Sequence, residues 1–181
     1  MHNDLQTILI SRDQIAERIR TLGADISRDL DALAPTGEIL IVPVMIGSFM
    51  FVADLVRELP QKLRVAVVTV SSYPGRSTES KGAQVLGGLP EDIEGRHVLL
   101  VDDILDSGNT LTLLRTEIMR RHPASVRACV LLRKRRDAAM NTPCEYIGFD
   151  IPDEFVVGYG LDYDDYYRNL PLIATLSPDA R

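Results

Sequence analysis

The chain predicts an α/β domain built on a mainly parallel β-sheet. Two observations carry that expectation. Short runs rich in Val, Ile and Leu occur without polar alternation, the pattern of strands buried on both faces. Helical runs separate them, as the crossovers of a parallel sheet require. A length of 181 residues suits one domain, residues 1–181, with a full hydrophobic core. No internal repeat or low-complexity linker divides it.

Residues 11–33 predict an amphipathic helix. Ser11 and Gln14 have the spacing of a capping box, and Ile15, Ile19, Leu22, Ile26, Leu30 and Leu33 recur at steps of three and four. Pro35 and Gly37 stop it. EILIVPV (38–44) predicts a strand, GSFMFVADLVREL (47–59) a helix, and LRVAVVTV (63–70) a second strand. The segment 71–88 holds four glycines, one proline and many small polar residues. It can bury little apolar surface, so it predicts a long surface loop of the kind that serves as a lid. HVLLVDD (97–103) predicts the third strand and NTLTLLRTEIMRRH (109–122) the helix after it. SVRACVLL (125–132) is the fourth strand and EYIGF (145–149) a short fifth.

Composition excludes several classes. Apolar residues are 45% and charged residues 25%, ordinary for a water-soluble globular chain. A formal net charge of -6 disfavours general binding to nucleic acid or to an anionic membrane. Cys129 and Cys144 form no CxxC or Cys/His cluster, which argues against a disulfide framework or a zinc site and for a reducing compartment. The start, MHNDLQTILI, lacks the pattern of a secretory leader. The apolar run 39–46 contains Pro43 and is too short for a membrane span. A cytoplasmic protein is expected. The run Arg133-Lys134-Arg135-Arg136 breaks the acidic balance, and Arg133, Arg135 and Arg136 read as a solvated loop face. His2, His97 and His122 read as structural or surface residues.

The stretch VLLVDDILDSGNTL (98–111) carries the chemistry. Ligands of such sheets bind beyond the carboxyl ends of the strands, which is where this stretch falls. Carboxylates at a buried strand end cost several kcal/mol unless paired, hydrogen-bonded or metal-bound. Vicinal ribose hydroxyls and a magnesium ion would supply partners for Asp102 and Asp103. Beyond them, Asp106-Ser107-Gly108-Asn109-Thr110 lies between strand and helix. Gly108 permits a tight turn, the first helical N–H groups form an anion site, and Ser107 and Thr110 add hydroxyl donors. The same pieces also make an ordinary helix cap, but the adjacent aspartates favour a phosphorylated sugar. Asp106, at the mouth of the loop, can exchange a proton with the sugar's reaction partner.

VLLVDDILDSGNT resembles the phosphoribosyl-pyrophosphate signature of type I phosphoribosyltransferases, and the likeness extends over most of the chain. Within that family it is closest to the hypoxanthine-guanine enzymes. GSFMFVADL (47–55) resembles the end of their pyrophosphate loop, SSY (71–73) the start of their lid, and LLRK (131–134) the strand with their purine-contacting lysine. IGFDIPDEFVVGYGLDYDDYYRNLP (147–171) resembles their purine pocket and C-terminal segment.

The resemblance implies the type I phosphoribosyltransferase fold, with a mobile lid at about 71–88. It also implies a purine-side hood from 147–181 plus N-terminal residues. The implied reaction transfers a 5-phosphoribosyl group from phosphoribosyl pyrophosphate to hypoxanthine or guanine. Mg2+ assists, and IMP or GMP and pyrophosphate result. Asp102 and Asp103 would face the ribose hydroxyls, directly or through metal-bound water, with Asp162 near the metal and the purine 2-position. The family commonly has glutamate where Asp102 stands. Asp106 would act at purine N7, and Asp106, Ser107, Gly108, Asn109 and Thr110 would hold the 5′-phosphate. Gly47, Ser48 and Arg168 would hold pyrophosphate. Lys134 would donate to the purine 6-oxo group, Phe155 would stack on the ring, and Val156 would offer its backbone. From periodicity alone, 155–157 reads as a core strand. Ser72 and Tyr73 would close over the reacting centre and exclude water.

One position departs from the family pattern. Ile46 stands where the pyrophosphate loop ordinarily has lysine or arginine. The resemblance further implies a homodimer or homotetramer. The competing readings are a xanthine-guanine-preferring relative and a non-catalytic regulator that binds the sugar donor. An acidic chain that keeps Lys134, Ser72, Tyr73 and Asp106 favours the enzyme.

Overall fold

The computed structural model describes residues 4–33, 38–71, 84–85, 87 and 89–180. Along these, the elements are β1 (Leu5–Ile10), α1 (Arg12–Leu33), β2 (Ile39–Met45), α2 (Phe49–Leu55), β3 (Leu63–Val65), β4 (Val68–Ser71) and β5 (Gln84–Val85). They continue as β6 (His97–Leu105), α3 (Asn109–Met119), β7 (Ser125–Lys134), α4 (Asp137–Met140), β8 (Tyr146–Ile151), β9 (Val156–Val157) and β10 (Ile173–Leu176). The expected mainly parallel sheet flanked by helices is present. Its order is β5-β4-β2-β6-β7-β8, with β3 also on β2, and every pairing is parallel except β4 with β5.

Both faces of this sheet are covered, which explains the unbroken apolar runs. Ile39, Ile41, Leu99, Val101, Cys129 and Leu131 pack on one side with Ile19, Ile26, Phe51 and Leu55 of α1 and α2. Their neighbours Leu40, Val42, Val98, Leu100, Ala128 and Val130 pack on the other with Leu111, Leu114 and Ile118 of α3. Each buried Val, Leu, Ile or Phe side chain among them contributes about 1.5–3 kcal/mol of transfer free energy. The capping box forms as expected: Ser11 N–H donates to Gln14 Oε1 at 2.8 Å and Gln14 N–H to Ser11 Oγ at 3.3 Å. Leu33, assigned to the apolar stripe by spacing, is instead exposed at the helix end.

The strand expected over 63–70 is interrupted at Ala66-Val67. Ile39 pairs with Leu63 and Val44 with Val68, so the two pieces keep one register along β2. The helix expected over 47–59 begins at Phe49, because residues 46–48 form a turn, and ends as a 3-10 turn over Val56–Glu58. A second sheet, β1-β10-β9, is antiparallel and joins the two ends of the chain, with Leu5 opposite Leu176 and Val157 opposite Ala174. No described helix is long and apolar enough to cross a membrane.

Candidate active site

A cavity of about 1120 Å³ opens at the carboxyl ends of β2, β4 and β6. It gathers Gly47, Asp102, Asp103, Asp106, Ser107, Gly108, Thr110, Asp162 and Arg168 from the residues expected by sequence. Ile46, Thr69, Val70 and Arg136 also line it. Ser48, Asn109, Lys134, Phe155 and Val156 are not in its wall. Ser72 and Tyr73 lie outside the described residues, as does most of the 71–88 loop.

β6 runs two residues past its expected end, to Leu105, and carries the carboxylate pair into the cavity. Asp102 is 6% exposed; its Oδ1 accepts from the Asp103 N–H at 3.0 Å. Asp103 Oδ1 accepts from the Ile104 N–H at 2.9 Å. Burial pushes the Asp102 carboxyl well above the ordinary carboxylate range, and the Asp103 charge pushes it the same way. Burial also raises Asp103, against the pull of its hydrogen bonds and of the Arg168 charge. Two adjacent carboxylates that ionise reluctantly form a site short of positive charge.

Among the described residues, no three His, Cys, Asp or Glu side chains form a ready metal cage. The expected set of Asp102, Asp103 and Asp162 is therefore not preassembled. Asp162 is instead held by Arg168 at 2.8 Å, and Arg168 also bonds Asp165 at 3.0 Å and the Gly160 carbonyl at 2.8 Å. Asp102 and Asp103 still suit a small divalent cation, which keeps its own waters and takes further ligands from a bound phosphate.

The 46–48 turn packs on this pair through glycine. A Cβ at Gly47 would lie 1.9 Å from Asp103 Oδ2, and one at Gly160 would lie 2.0 Å from the Gly47 carbonyl oxygen. Tyr159, the residue before Gly160, donates its hydroxyl to Asp54 on α2. The Met45–Ile46 peptide bond is cis. Ser48 is fully buried and its hydroxyl donates to the Val44 carbonyl at 2.6 Å. Its hydroxyl is spent within the fold, so what this turn could offer pyrophosphate is its backbone N–H groups around Gly47 and Ser48. Ile46 is 58% exposed at the cavity wall.

Between β6 and α3 the chain turns at Gly108, with φ +79°, a conformation that favours glycine. The N-cap residue Gly108 has no side chain to cap α3, and only a long contact from Ser107 Oγ reaches its first N–H, which leaves the first turn available to an anion. A Cβ at Gly108 would also strike Thr142 Oγ1 at 2.0 Å. Asn109 is exposed and its N–H donates to Ser107 Oγ at 3.4 Å.

Asp106 is held from two sides. Lys134 Nζ lies 2.9 Å from Oδ2 and Arg136 Nη1 lies 2.6 Å from Oδ1. Asp153 closes the group, 3.5 Å from Lys134 and 3.9 Å from Arg136. Arg136 is exposed, as a solvated face requires, but it also lines the cavity and pairs with Asp106. β7 ends at Lys134 and a tight turn follows, in which the Arg136 N–H donates to the Lys134 carbonyl at 2.9 Å and both cations reach Asp106. The run RKRR carries no periodic sign of that turn. Arg133 is also not free, since it pairs with Asp150 at 2.7 Å; Arg135 is exposed. On the hood side, Phe155 is 42% exposed and meets Tyr163 edge to face at 5.7 Å, while Val156 is buried in β9.

Comparison with known proteins gives consistent matches. The model of the phosphoribosyl transferase domain matches residues 10–164. A hypoxanthine-guanine phosphoribosyltransferase of Mycobacterium avium is 46% identical over 178 residues, 97% of this chain and 87% of that protein. One of Streptococcus pneumoniae is 38% identical over 179 residues, 99% and 97% of the two chains. The crystal structure of a hypoxanthine phosphoribosyltransferase from Staphylococcus aureus superposes with a TM-score of 0.90 at 38% identity. The match covers 99% of this chain and 95% of that one.

Proposed function

The chain belongs to the phosphoribosyl transferase family, and from that premise we propose that it is a purine-salvage enzyme of the hypoxanthine-guanine type. It transfers the 5-phosphoribosyl group of phosphoribosyl pyrophosphate to a 6-oxopurine, forming IMP or GMP and releasing pyrophosphate. The observation that carries this reading is the convergence, in one cavity, of the Asp102–Asp103 pair with Asp106, Ser107, Gly108 and Thr110 of the turn, Asp106 being paired to Lys134 just behind the wall.

In the reaction, purine N9 bonds to ribose C1′ as the C1′–pyrophosphate bond breaks, and the N7 proton passes to Asp106. The open first turn of α3, with Ser107 and Thr110, would hold the 5′-phosphate. Asp102 and Asp103 would orient the ribose hydroxyls and hold Mg2+, with Asp162 nearby. Bound there, Mg2+ supplies positive charge to the departing pyrophosphate. Gly47 would let the backbone approach that group closely, and Arg168 would add a cation. Lys134 would donate to the 6-oxo group, where negative charge grows as the ring loses its proton. Phe155 would cover the ring face and Val156 present backbone groups to its edge. Ser72 and Tyr73 belong to the proposed lid.

The proposal treats the whole chain as one catalytic domain, acting in the cytoplasm as a homodimer or homotetramer. Nucleotide formation from hypoxanthine, guanine, xanthine, adenine and uracil, each with the sugar donor and magnesium, tests the reading. Product from hypoxanthine or guanine is expected. No product from any base would refute it.

A further inference from the structure

We infer that Arg136 is a positioning residue that keeps Lys134 available to the purine. The inference rests on the catalytic reading above and concerns a residue that reading does not use. Asp106, Lys134, Asp153 and Arg136 form a closed ring of alternating charge. Asp106 accepts from Lys134 at 2.9 Å and from Arg136 at 2.6 Å, and Asp153 lies 3.5 Å and 3.9 Å from the same two cations. Two carboxylates face two cations, so the ring is balanced. Lys134 is 12% exposed, with little water to compensate it, whereas Arg136 is 43% exposed and lines the cavity.

Lys134 has two tasks that compete. It pairs with Asp106 in the free protein, yet it must turn a proton toward the purine oxygen. Arg136 resolves the competition. With Arg136 on Oδ1, Asp106 keeps its place and a counter-charge when Lys134 turns away. Without Arg136, one cation faces two carboxylates, Asp106 and Asp153, and both hold Lys134 back from the base. The guanidinium's planar fork and permanent charge suit it to this fixed role.

The test is steady-state kinetics of Arg136→Ala, Arg136→Lys, Asp153→Asn and the double variant Arg136→Ala/Asp153→Asn. Each is varied against hypoxanthine and against the sugar donor, with thermal melts as a fold control. Arg136→Ala should raise KM for hypoxanthine by about tenfold, the factor one weakened charge-assisted contact is worth. KM for the sugar donor should stay within about twofold, a split that general misfolding does not produce. Arg136→Lys should restore at least part of the loss. The double variant should recover most of it relative to Asp153→Asn alone, because one cation again faces one carboxylate. Equal changes in both KM values, or a double variant with no recovery, overturn the role assigned to Arg136 and leave the catalytic reading intact. A wild type that forms no nucleotide overturns both.

Discussion

At Asp106 each carboxylate oxygen already accepts a hydrogen bond from a cation, Lys134 on one side and Arg136 on the other. Asp106→Asn keeps the shape and removes the basic group. General acid–base assistance contributes about 10²–10⁴-fold, so turnover should fall by that factor while sugar-donor affinity is largely kept. Turnover within about twofold of wild type would remove Asp106 from the chemistry. Lys134→Gln replaces a cation by a neutral donor and should weaken 6-oxopurine use by roughly 1.5–3 kcal/mol. Adenine, which has an amino group in place of the 6-oxo group, should gain relative to hypoxanthine. Equal losses for both bases would show that Lys134 does not read that position. Ile46 poses the opposite case, a cation missing where the family has one. It is 58% exposed, so a lysine there would be well solvated and would add about 1 kcal/mol or less. Ile46→Lys should therefore change kcat/KM for the sugar donor by no more than about tenfold. A hundredfold gain would mean that Ile46 marks an impaired site and would favour the non-catalytic reading.

Among the elements, the 46–48 turn is the piece whose backbone position decides the site. A Cβ at Gly47 would meet Asp103 Oδ2 at 1.9 Å and its Cγ at 2.6 Å, so Gly47→Ala must displace the carboxylate. A shift of about 1 Å at a reacting centre can cost 10²-fold, and a loss of that order in kcat/KM for the sugar donor is expected. The melting curve should barely move, since Asp103 is partly exposed and can swing toward the cavity. Near-normal kinetics would show that Asp103 is free to move without consequence. No sequence pattern announces such a contact, because it joins residues 47 and 103 through the absence of a side chain. The parallel sheet was legible because burial on both faces writes itself as unbroken Val, Ile and Leu runs, as in 39–42 and 98–101. The β1-β10-β9 sheet was not, because β1 and β10 pair ends of the chain and β9 has two residues. The carboxylates and the 106–110 turn were legible because their cost in a strand end demands a ligand. Arg136 was hidden by its basic neighbours, because nothing in RKRR tells which cation reaches Asp106.

Across the whole molecule, the active site is a place where stability is given up for function. Burial and the Asp103 charge raise Asp102 well above its ordinary value of 3.8, so the folded protein binds its proton more tightly than the unfolded chain does. The sign follows from linkage. Stability falls with rising pH wherever the folded state holds more protons, so Asp102 costs the metal-free fold more as pH climbs above the ordinary carboxyl range. The cost levels off above the raised folded value. Other carboxylates act the opposite way: the Tyr146 hydroxyl and then Arg127 hold Asp29 below the ordinary range, Arg115 does so for Glu145 against its burial and Arg133 for Asp150, and their stability is lost as pH falls. A melt of wild type alone therefore mixes both signs, and the informative quantity is a difference. Asp102→Asn removes the reluctant carboxylate and keeps an acceptor for the Asp103 N–H, which Asp102 now binds at 3.0 Å. In chelator, the melting temperature of the variant relative to wild type should rise steadily from about pH 4 toward neutrality, as the folded wild type is forced to ionise. Magnesium with pyrophosphate should shrink that advantage, because a cation beside the pair stabilises the charged form and binding stabilises the native state. The variant should at the same time lose activity. A difference in melting temperature that stays flat across this pH range would mean that Asp102 ionises as readily in the fold as in the unfolded chain, and the account of a charge-starved carboxylate pair would fail with it.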